Sequence, residues 1–578
     1  MTFATLSEYF EKLEATSSRL ALIDILASLF KKADKSEIDK VIYLSQGRVA
    51  PFFAPVEIGM AEKNVASAMA SAYGSTKEGV LKLYSKLGDM GLVAEQLRSE
   101  KSEVRSQKSE VADVFDVLTA IAKTSGEGTV EKRQQLLSGL LKKLDPISAK
   151  HLVRIPLGVS RLGIGDPTIL DGLALAFLGD RGKRKLLEKA YNETSDLGLI
   201  AKTLATGGLS AVGKLKITVG RPIRSELCER LPTVEKVLEK MGGKTHATLK
   251  YDGFRVQIHK DGDRVRMFSR NLEETTHMFP ELIEGTLKQV KAKTAILDSE
   301  ALAYQPESEE FLPFQETTKR RRKYRIEEMA KSLPLKAFVF DLLYVDGKSL
   351  IDKPLLERME QLKKVVKPDS VLIPSPGEIV SDAKKLQAIL DDAISKGLEG
   401  LVVKRVDSLY EAGGRNFNWV KLKRHSAGEL HDTIDCVILG YIFGKGKRTA
   451  FGAGALLVGV YDDERDEFVT VSKIGTGLTD EEWREIHKLA DRIKVVHKPA
   501  RVNALLEPSV WIAPKIVIEV LADEITRSPI HTAGKVEDEP GYALRFPRLV
   551  SFRGKDKTAE DATTVKELVD MYKQQGRK

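Results

Sequence analysis

Apolar side chains recur at three- and four-residue spacing through the first two hundred positions. Phe3, Leu6, Phe10 and Leu13 fall on one helical face, and Leu22, Ile25, Leu26 and Leu29 on the next. Asp and Ser residues recur ahead of such runs, where a side-chain oxygen can accept from the free N–H groups of a first helical turn. From Met1 to about Leu215 the pattern therefore predicts helices, interrupted at Arg98 to Lys108 by a charged tract read as an exposed loop. Between about Ile217 and Arg424 helical and alternating periods mix. Within His246 to Arg270, Phe254, Val256 and Ile258 alternate with Arg255, Gln257 and His259. Two turn signals, Asp252-Gly253 and Asp261-Gly262, bound the run, which predicts antiparallel strands with one buried face. Beyond about His425, the runs Thr433 to Tyr441, Ala455 to Tyr461, Glu467 to Ile474 and Lys515 to Val520 predict a small β-barrel, followed by a helix over Val565 to Gln575.

This divides the chain into an all-α domain (1–215), an α+β domain (216–424) and an all-β domain with a terminal helix (425–578). A length of 578 residues accommodates three such cores at roughly 150 residues per domain. The formal charge of +9 favours a polyanionic partner, although many intracellular proteins are mildly basic. Only Cys228 and Cys436 are present, too few for a disulfide framework or a four-cysteine zinc module. Glu8 and Glu11 stand where a signal peptide would carry positive charge, and no run reaches membrane-spanning length. The expectation is a soluble protein of the cytoplasm, with no membrane partner.

The candidate chemistry sits in the middle domain. In Lys250-Tyr251-Asp252-Gly253-Phe254-Arg255, a lysine on a strand precedes a tight turn and an arginine, with Lys250 and Asp252 predicted on one face. An isolated Lys-x-Asp-Gly is commonly only a solvated hairpin end, so its meaning depends on the segments downstream of it. Five of these come in order: Ser269-Arg270-Asn271, Leu297-Asp298-Ser299-Glu300, Phe340-Asp341-Leu342-Leu343-Tyr344, Leu398 to Lys404, and Trp419-Val420-Lys421-Leu422-Lys423. A nucleophilic amine must be uncharged to attack a phosphorus, whereas free lysine, with a pKa of about 10.4, is almost wholly protonated at neutral pH. Partial burial and the cations that bind phosphate both disfavour an ammonium. No Gly-x-x-x-x-Gly-Lys-Ser/Thr loop is present, so side chains must hold the phosphates.

Together these segments resemble the covalent nucleotidyltransferases, and over the whole chain they resemble the ATP-dependent DNA ligases of archaeal and eukaryotic replicative type. Arg161 to Asp166 is similar to their helical DNA-binding domain, and Arg545-Phe546-Pro547-Arg548 to their last motif. The resemblance implies a helical DNA-binding domain, a nucleotidyltransferase domain and an oligonucleotide-binding barrel. Their implied task is to seal nicks in duplex DNA during replication, repair and recombination. Lys250 would carry AMP covalently. Thr248, Arg255, Arg270, Glu300, Phe340, Arg415, Lys421 and Lys423 would bind the nucleotide, with Phe340 stacking on the purine. Arg545 and Arg548 would orient pyrophosphate. Magnesium is implied, with Glu300 and Glu399 as its ligands. Arg161, Lys445, Lys447, Arg448 and Lys473 are candidate DNA contacts, and the protein is expected to act as a monomer.

Two departures qualify this. Thr248 stands where the family usually carries a glutamate that reads the purine edge, so ADP or GTP is an expected alternative to ATP. Gln107-Lys108-Ser109 resembles weakly the start of a sliding-clamp contact, but Glu110 and Val111 replace the aromatic pair, and a solvated loop is the reading. An RNA ligase or capping-type enzyme would share the catalytic segments without the long helical region. A non-catalytic DNA-binding scaffold would not need the lysines and glutamates.

Overall fold

The computed structural model describes residues 1–101, 106–304, 312, 317, 319–320, 325–395, 398–423, 432–443, 453–475, 478–522, 524–537, 539–545, 547–554 and 556–575; the side chains of 394, 395 and 423 lie outside that description. From Phe3 to Val212 the described residues form helices, with one isolated bridge between Thr2 and Glu110. The side-chain oxygens of Thr2, Ser18, Asp89, Asp145 and Asp196 cap five of the helices by accepting first-turn N–H groups. The periodic apolar positions Phe3, Leu6, Phe10, Leu13, Leu22, Leu26 and Leu29 all enter one core. Arg98 corrects the loop reading. It lies within the helix Met90–Ser99, is buried, and donates from Nε to the Leu144 carbonyl at 2.6 Å. Gln107 is exposed, but Val111 beyond it is buried as the first residue of the helix Val111–Lys123.

Two sheets follow. One has the order β1 (Leu227–Arg230), β11 (Arg415–Lys423), β10 (Gly400–Arg405), β2 (Thr245–Lys250) and β9 (Gly377–Val380). The other has the order β4 (Arg264–Ser269), β3 (Phe254–Asp261), β5 (Thr294–Ala303), β6 (Leu335–Val345) and β7 (Lys348–Ser349), with β8 (Leu372–Pro374) beside β6. Each sheet has a core on its outer face. Ala247, Leu401, Val403 and Val420 lie beneath the first, and Val256, Ile258, Leu297 and Val339 beneath the second. A third cluster, including Ile223, Ile296, Tyr410 and Trp419, lies where the sheets meet.

The polar side chains Gln257 and His259 of β3 are not solvated, because the segment Gly220 to Ile223 ahead of β1 covers them. Gln257 exchanges two hydrogen bonds with the Ile223 backbone at 2.8 and 2.9 Å, and His259 accepts from the Gly220 N–H at 2.9 Å. Period-two alternation predicts the two faces but not what covers the polar one.

The last part of the chain builds a sheet of order β15 (Lys494–Val495), β17 (Val510–Leu521), β12 (Ile434–Ile442), β13 (Ala455–Asp462), β14 (Glu467–Ile474) and β16 (Val502–Asn503), with β20 (Arg548–Phe552) on β17. A hairpin of β18 (Glu524–Ser528) and β19 (Gly541–Arg545) accompanies it. The terminal helix Val565–Gln574 sinks Leu568 and Met571 into this core. The sheet also reaches the N-terminal helices, where Arg19 lies 3.0 Å from Asp171 and 3.5 Å from Asp466. No helix among the described residues is long and apolar enough to cross a membrane.

Candidate active site

The register of the first sheet aligns the candidate residues in rows. Lys250 on β2 pairs with Gly400 on β10, which pairs with Lys423 on β11. One row further, Thr248 pairs with Val402 and Val402 with Lys421; next come His246, Lys404 and Trp419. With Ala247, Leu401, Val403 and Val420 committed to the core, the alternate positions open into a cleft between the sheets. Lys250, Thr248, Asp252, Arg255, Arg270, Glu300, Phe340, Glu399, Arg415 and Lys421 all line it. The backbone of Lys423 continues β11, while its side chain lies outside the described residues.

Lys250 ends its strand, and its ammonium lies 2.5 Å from Glu399. Two glycines border this pair in sequence. Gly400, beside Glu399, has φ of 141°, a region L side chains rarely enter. At Gly253 a Cβ would collide with the Ala301 carbonyl, so this glycine lets the lysine turn lie against β5.

Arg255 is clamped rather than free. Its Nε and Nη2 donate to Asp298 at 2.9 and 2.5 Å, and Nη1 to the Glu226 carbonyl at 2.9 Å. Phe340 faces the cleft with the Arg255 guanidinium 5.2 Å and the Lys404 ammonium 4.7 Å from its centroid, and meets Trp419 edge-on at 5.8 Å. Phe338 instead stacks on Tyr251 at 3.9 Å. Thr248 donates its hydroxyl to the Val402 carbonyl at 3.0 Å.

Burial raises the Glu300 carboxyl to about 7, against the pull of Lys250, Arg255 and Arg270. Burial also lowers the buried amine of Lys404 to about 8.

The end of the chain closes over the cleft. Glu567 lies 2.5 Å from Lys421 and 3.0 Å from Arg415, and Asp561 lies 3.0 Å from Arg270. Burial opposes ionisation at both carboxyls, yet Lys421 and Arg415 hold Glu567 well below the usual range, and Arg270 and the Thr558 N–H hold Asp561 at about 2. Sequence reasoning missed both acids, because 146 residues separate Glu567 from Lys421 and no local pattern links them.

The other expected contacts lie elsewhere. Arg161 is nearly buried, pairs with Asp89 at 3.1 Å and adopts a φ of 56°. Arg545 and Arg548 are exposed on β19 and β20, and Lys473 is exposed on β14. Lys445, Lys447 and Arg448 lie outside the described residues. Among the described residues, Glu11, Glu14 and His151 form a group of metal-ligand type in the helical region. Lys150 and Arg154 already pair with both of its carboxylates, at 2.5 and 2.7 Å.

Three family descriptions match the chain in order: "DNA ligase N terminus" over 2–174, "ATP dependent DNA ligase domain" over 225–423 and "ATP dependent DNA ligase C terminal region" over 449–557. The "Probable DNA ligase" of Dictyoglomus turgidum is 48% identical over 575 residues, covering 100% of this chain and 98% of that protein. The "DNA ligase" of Sulfolobus acidocaldarius is 40% identical over 586 residues, covering 99% and 98%. Among solved structures, "mycobacterial DNA ligase D complexed with ATP and MES" is 22% identical with a TM-score of 0.33, over 59% of this chain and 97% of that one. With segments of all three kinds in one chain and relatives of this identity over its full length, the protein belongs to the ATP-dependent DNA ligase family.

Proposed function

We propose that Lys250 is the residue on which this ligase carries AMP. The protein joins a 3′-hydroxyl to a 5′-phosphate at a nick in duplex DNA, using ATP. The observation that carries the assignment is the position of Lys250 at a strand end in a cleft that also holds Arg270, Arg415 and Lys421. Such cations lie where negative charge develops during phosphoryl transfer.

In the first step the Lys250 nitrogen bonds to the α-phosphorus of ATP, the bond from that phosphorus to the pyrophosphate oxygen breaks, and the amine loses a proton. In the second, an oxygen of the 5′-phosphate at the nick bonds to the α-phosphorus, the bond from that phosphorus to the Lys250 nitrogen breaks, and the departing amine takes up a proton. In the third, the 3′-hydroxyl attacks that 5′-phosphate, loses its proton and expels AMP. Phe340 and Thr248 flank the nucleotide, Lys421 and Arg415 take its phosphates, and Arg270 faces the same charge. Arg255, held by Asp298, shapes the wall behind them.

Glu300 and Glu399 open on the same cleft and offer the hard carboxylate oxygens that magnesium prefers, so they are the residues that would hold it. When bound, that ion neutralises charge on the departing pyrophosphate. The three regions act as a helical DNA-binding domain, a nucleotidyltransferase domain and an oligonucleotide-binding barrel. They form a monomer working in the cytoplasm. Arg545 and Arg548 serve the pyrophosphate-releasing step once the barrel turns them to the cleft, and Lys473 contacts DNA phosphate.

The test uses ATP labelled at the α-phosphate, magnesium and denaturing gels. The protein should take one label, Lys250→Ala should take none, and charged protein should seal nicked DNA in preference to nicked RNA duplex. Label persisting in Lys250→Ala would remove the assignment.

A further inference from the structure

Tyr410 stands between β10 and β11, 3% exposed, in a stretch that no step of charging or sealing uses. Its hydroxyl donates to Asp298 Oδ2 at 3.0 Å, accepts from the Glu226 N–H at 3.1 Å and lies 3.5 Å from Arg255 Nη2. These partners come from both halves of the domain. Arg255 and Asp298 belong to β3 and β5 of one sheet, and Glu226 leads directly into β1 of the other. The Glu226 carbonyl closes the circuit by accepting from Arg255 Nη1 at 2.9 Å. The ring of Tyr410 meets Trp419 edge-on at 5.8 Å, and its own N–H is tied to the Ile351 carbonyl at 2.9 Å.

Two strands that touch this circuit carry a cleft residue two positions on. Asp298 precedes Glu300 on β5, and Trp419 precedes Lys421 on β11. The circuit thus fastens the two sheets to each other behind the cleft, and the Tyr410 hydroxyl bonds to both of them.

We propose that the Tyr410 hydroxyl is a positioning group for transfer of the nucleotide to Lys250, fixing the spacing of the two sheets through Asp298 and Arg255. This rests on the assignment of Lys250 as the nucleotide carrier. Without the hydroxyl, a buried carboxylate loses a donor and a buried N–H loses an acceptor, and both relax toward other partners. Displacements of this kind cost transfer chemistry far more than they cost binding, because reacting atoms must meet within a narrow range of distance and angle.

The experiment is single-turnover charging of the full-length protein with labelled ATP and magnesium, in the unmodified chain, Tyr410→Phe, Asp298→Asn and the double variant. Tyr410→Phe is expected to reach the same final extent of labelling. Its rate constant at saturating ATP should fall about tenfold, and its apparent KM for ATP should stay within about twofold. Release of label by added pyrophosphate should slow by the same factor, since both directions cross one transition state. Asp298→Asn should slow charging as well, and the double variant should lose less than the product of the two single effects. A reduced extent with an unchanged rate constant would mean a merely structural role and overturn the proposal, as would unchanged rates or multiplicative losses. An unmodified chain that takes no label would instead remove the Lys250 assignment.

Discussion

The Glu567 carboxylate sits 2.5 Å from the Lys421 ammonium, so the helix Val565–Gln574 supplies an anion to the cation proposed to take the nucleotide phosphates. Arg415 is held by the same carboxylate at 3.0 Å. If these cations take the nucleotide's phosphates as proposed, Glu567 competes with them for the same charge. Glu567→Gln keeps the shape and removes the charge, leaving two cations without their partner in the closed arrangement. At ATP concentrations below KM, the variant should form its lysine adduct several-fold faster than the unmodified chain. An unchanged or slower rate at low ATP would show that the contact does not compete with nucleotide.

Glu300 gives the site a pH dependence of definite sign. Burial raises its carboxyl from the usual 4.5 to about 7. Between those values the folded site keeps a proton that the unfolded chain has lost. Its contribution therefore makes the free protein less stable as pH rises across that window, and adds no further change above about 7. A dication prefers the carboxylate, so the magnesium needed for half-maximal charging should fall as pH is raised from about 6 to 8. Glu300→Gln should remove most of that dependence. Magnesium titrations of charging at several pH values check both statements.

How much of this was legible in the chain differs by level. The core faces of the first helices were visible as period, because burial of a single face imposes that period on the sequence, and the strands β12, β13, β14 and β17 as strand-like runs separated by turn residues. Lys250, Arg270, Glu300, Phe340 and Lys421 were picked out through the resemblance their ordered segments carry, and all of them line one cleft. Partners brought from a distance were not legible. Arg98 and Arg161 look like solvated charges in sequence, yet each is buried against acceptors that folding brings from elsewhere, the Leu144 carbonyl and Asp89 respectively. Tyr410 and Glu567 make long-range contacts that leave no periodic trace.

Gly253 offers a test of how tightly the lysine turn must approach β5. A Cβ there would meet the Ala301 carbonyl, which is backbone in a central strand and cannot rotate away. Gly253→Ala should therefore displace the turn and Lys250 with it. The loss in charging rate should be about a hundredfold for a displacement near 1 Å. Circular dichroism and thermal unfolding should meanwhile report a folded chain. A variant that charges at the normal rate would show that the turn has more room than its geometry indicates.

In the proposed nucleotide site, Thr248 bears on the choice of base. Its place two residues before Lys250 puts it roughly 6–7 Å along the strand from the proposed site of attack on the α-phosphate. From sequence alone, a hydroxyl that both donates and accepts would loosen the choice of purine. In the fold, however, the hydroxyl proton is committed to the Val402 carbonyl at 3.0 Å, which leaves only lone pairs for the base. The exocyclic amine of adenine can donate to them, whereas the corresponding oxygen of guanine cannot. Charging with ATP should therefore exceed charging with GTP by about tenfold or more in kcat/KM, and Thr248→Val, which keeps the volume, should narrow the gap chiefly by slowing ATP. Equal charging by the two nucleotides in the unmodified chain would mean that the hydroxyl turns to serve either base.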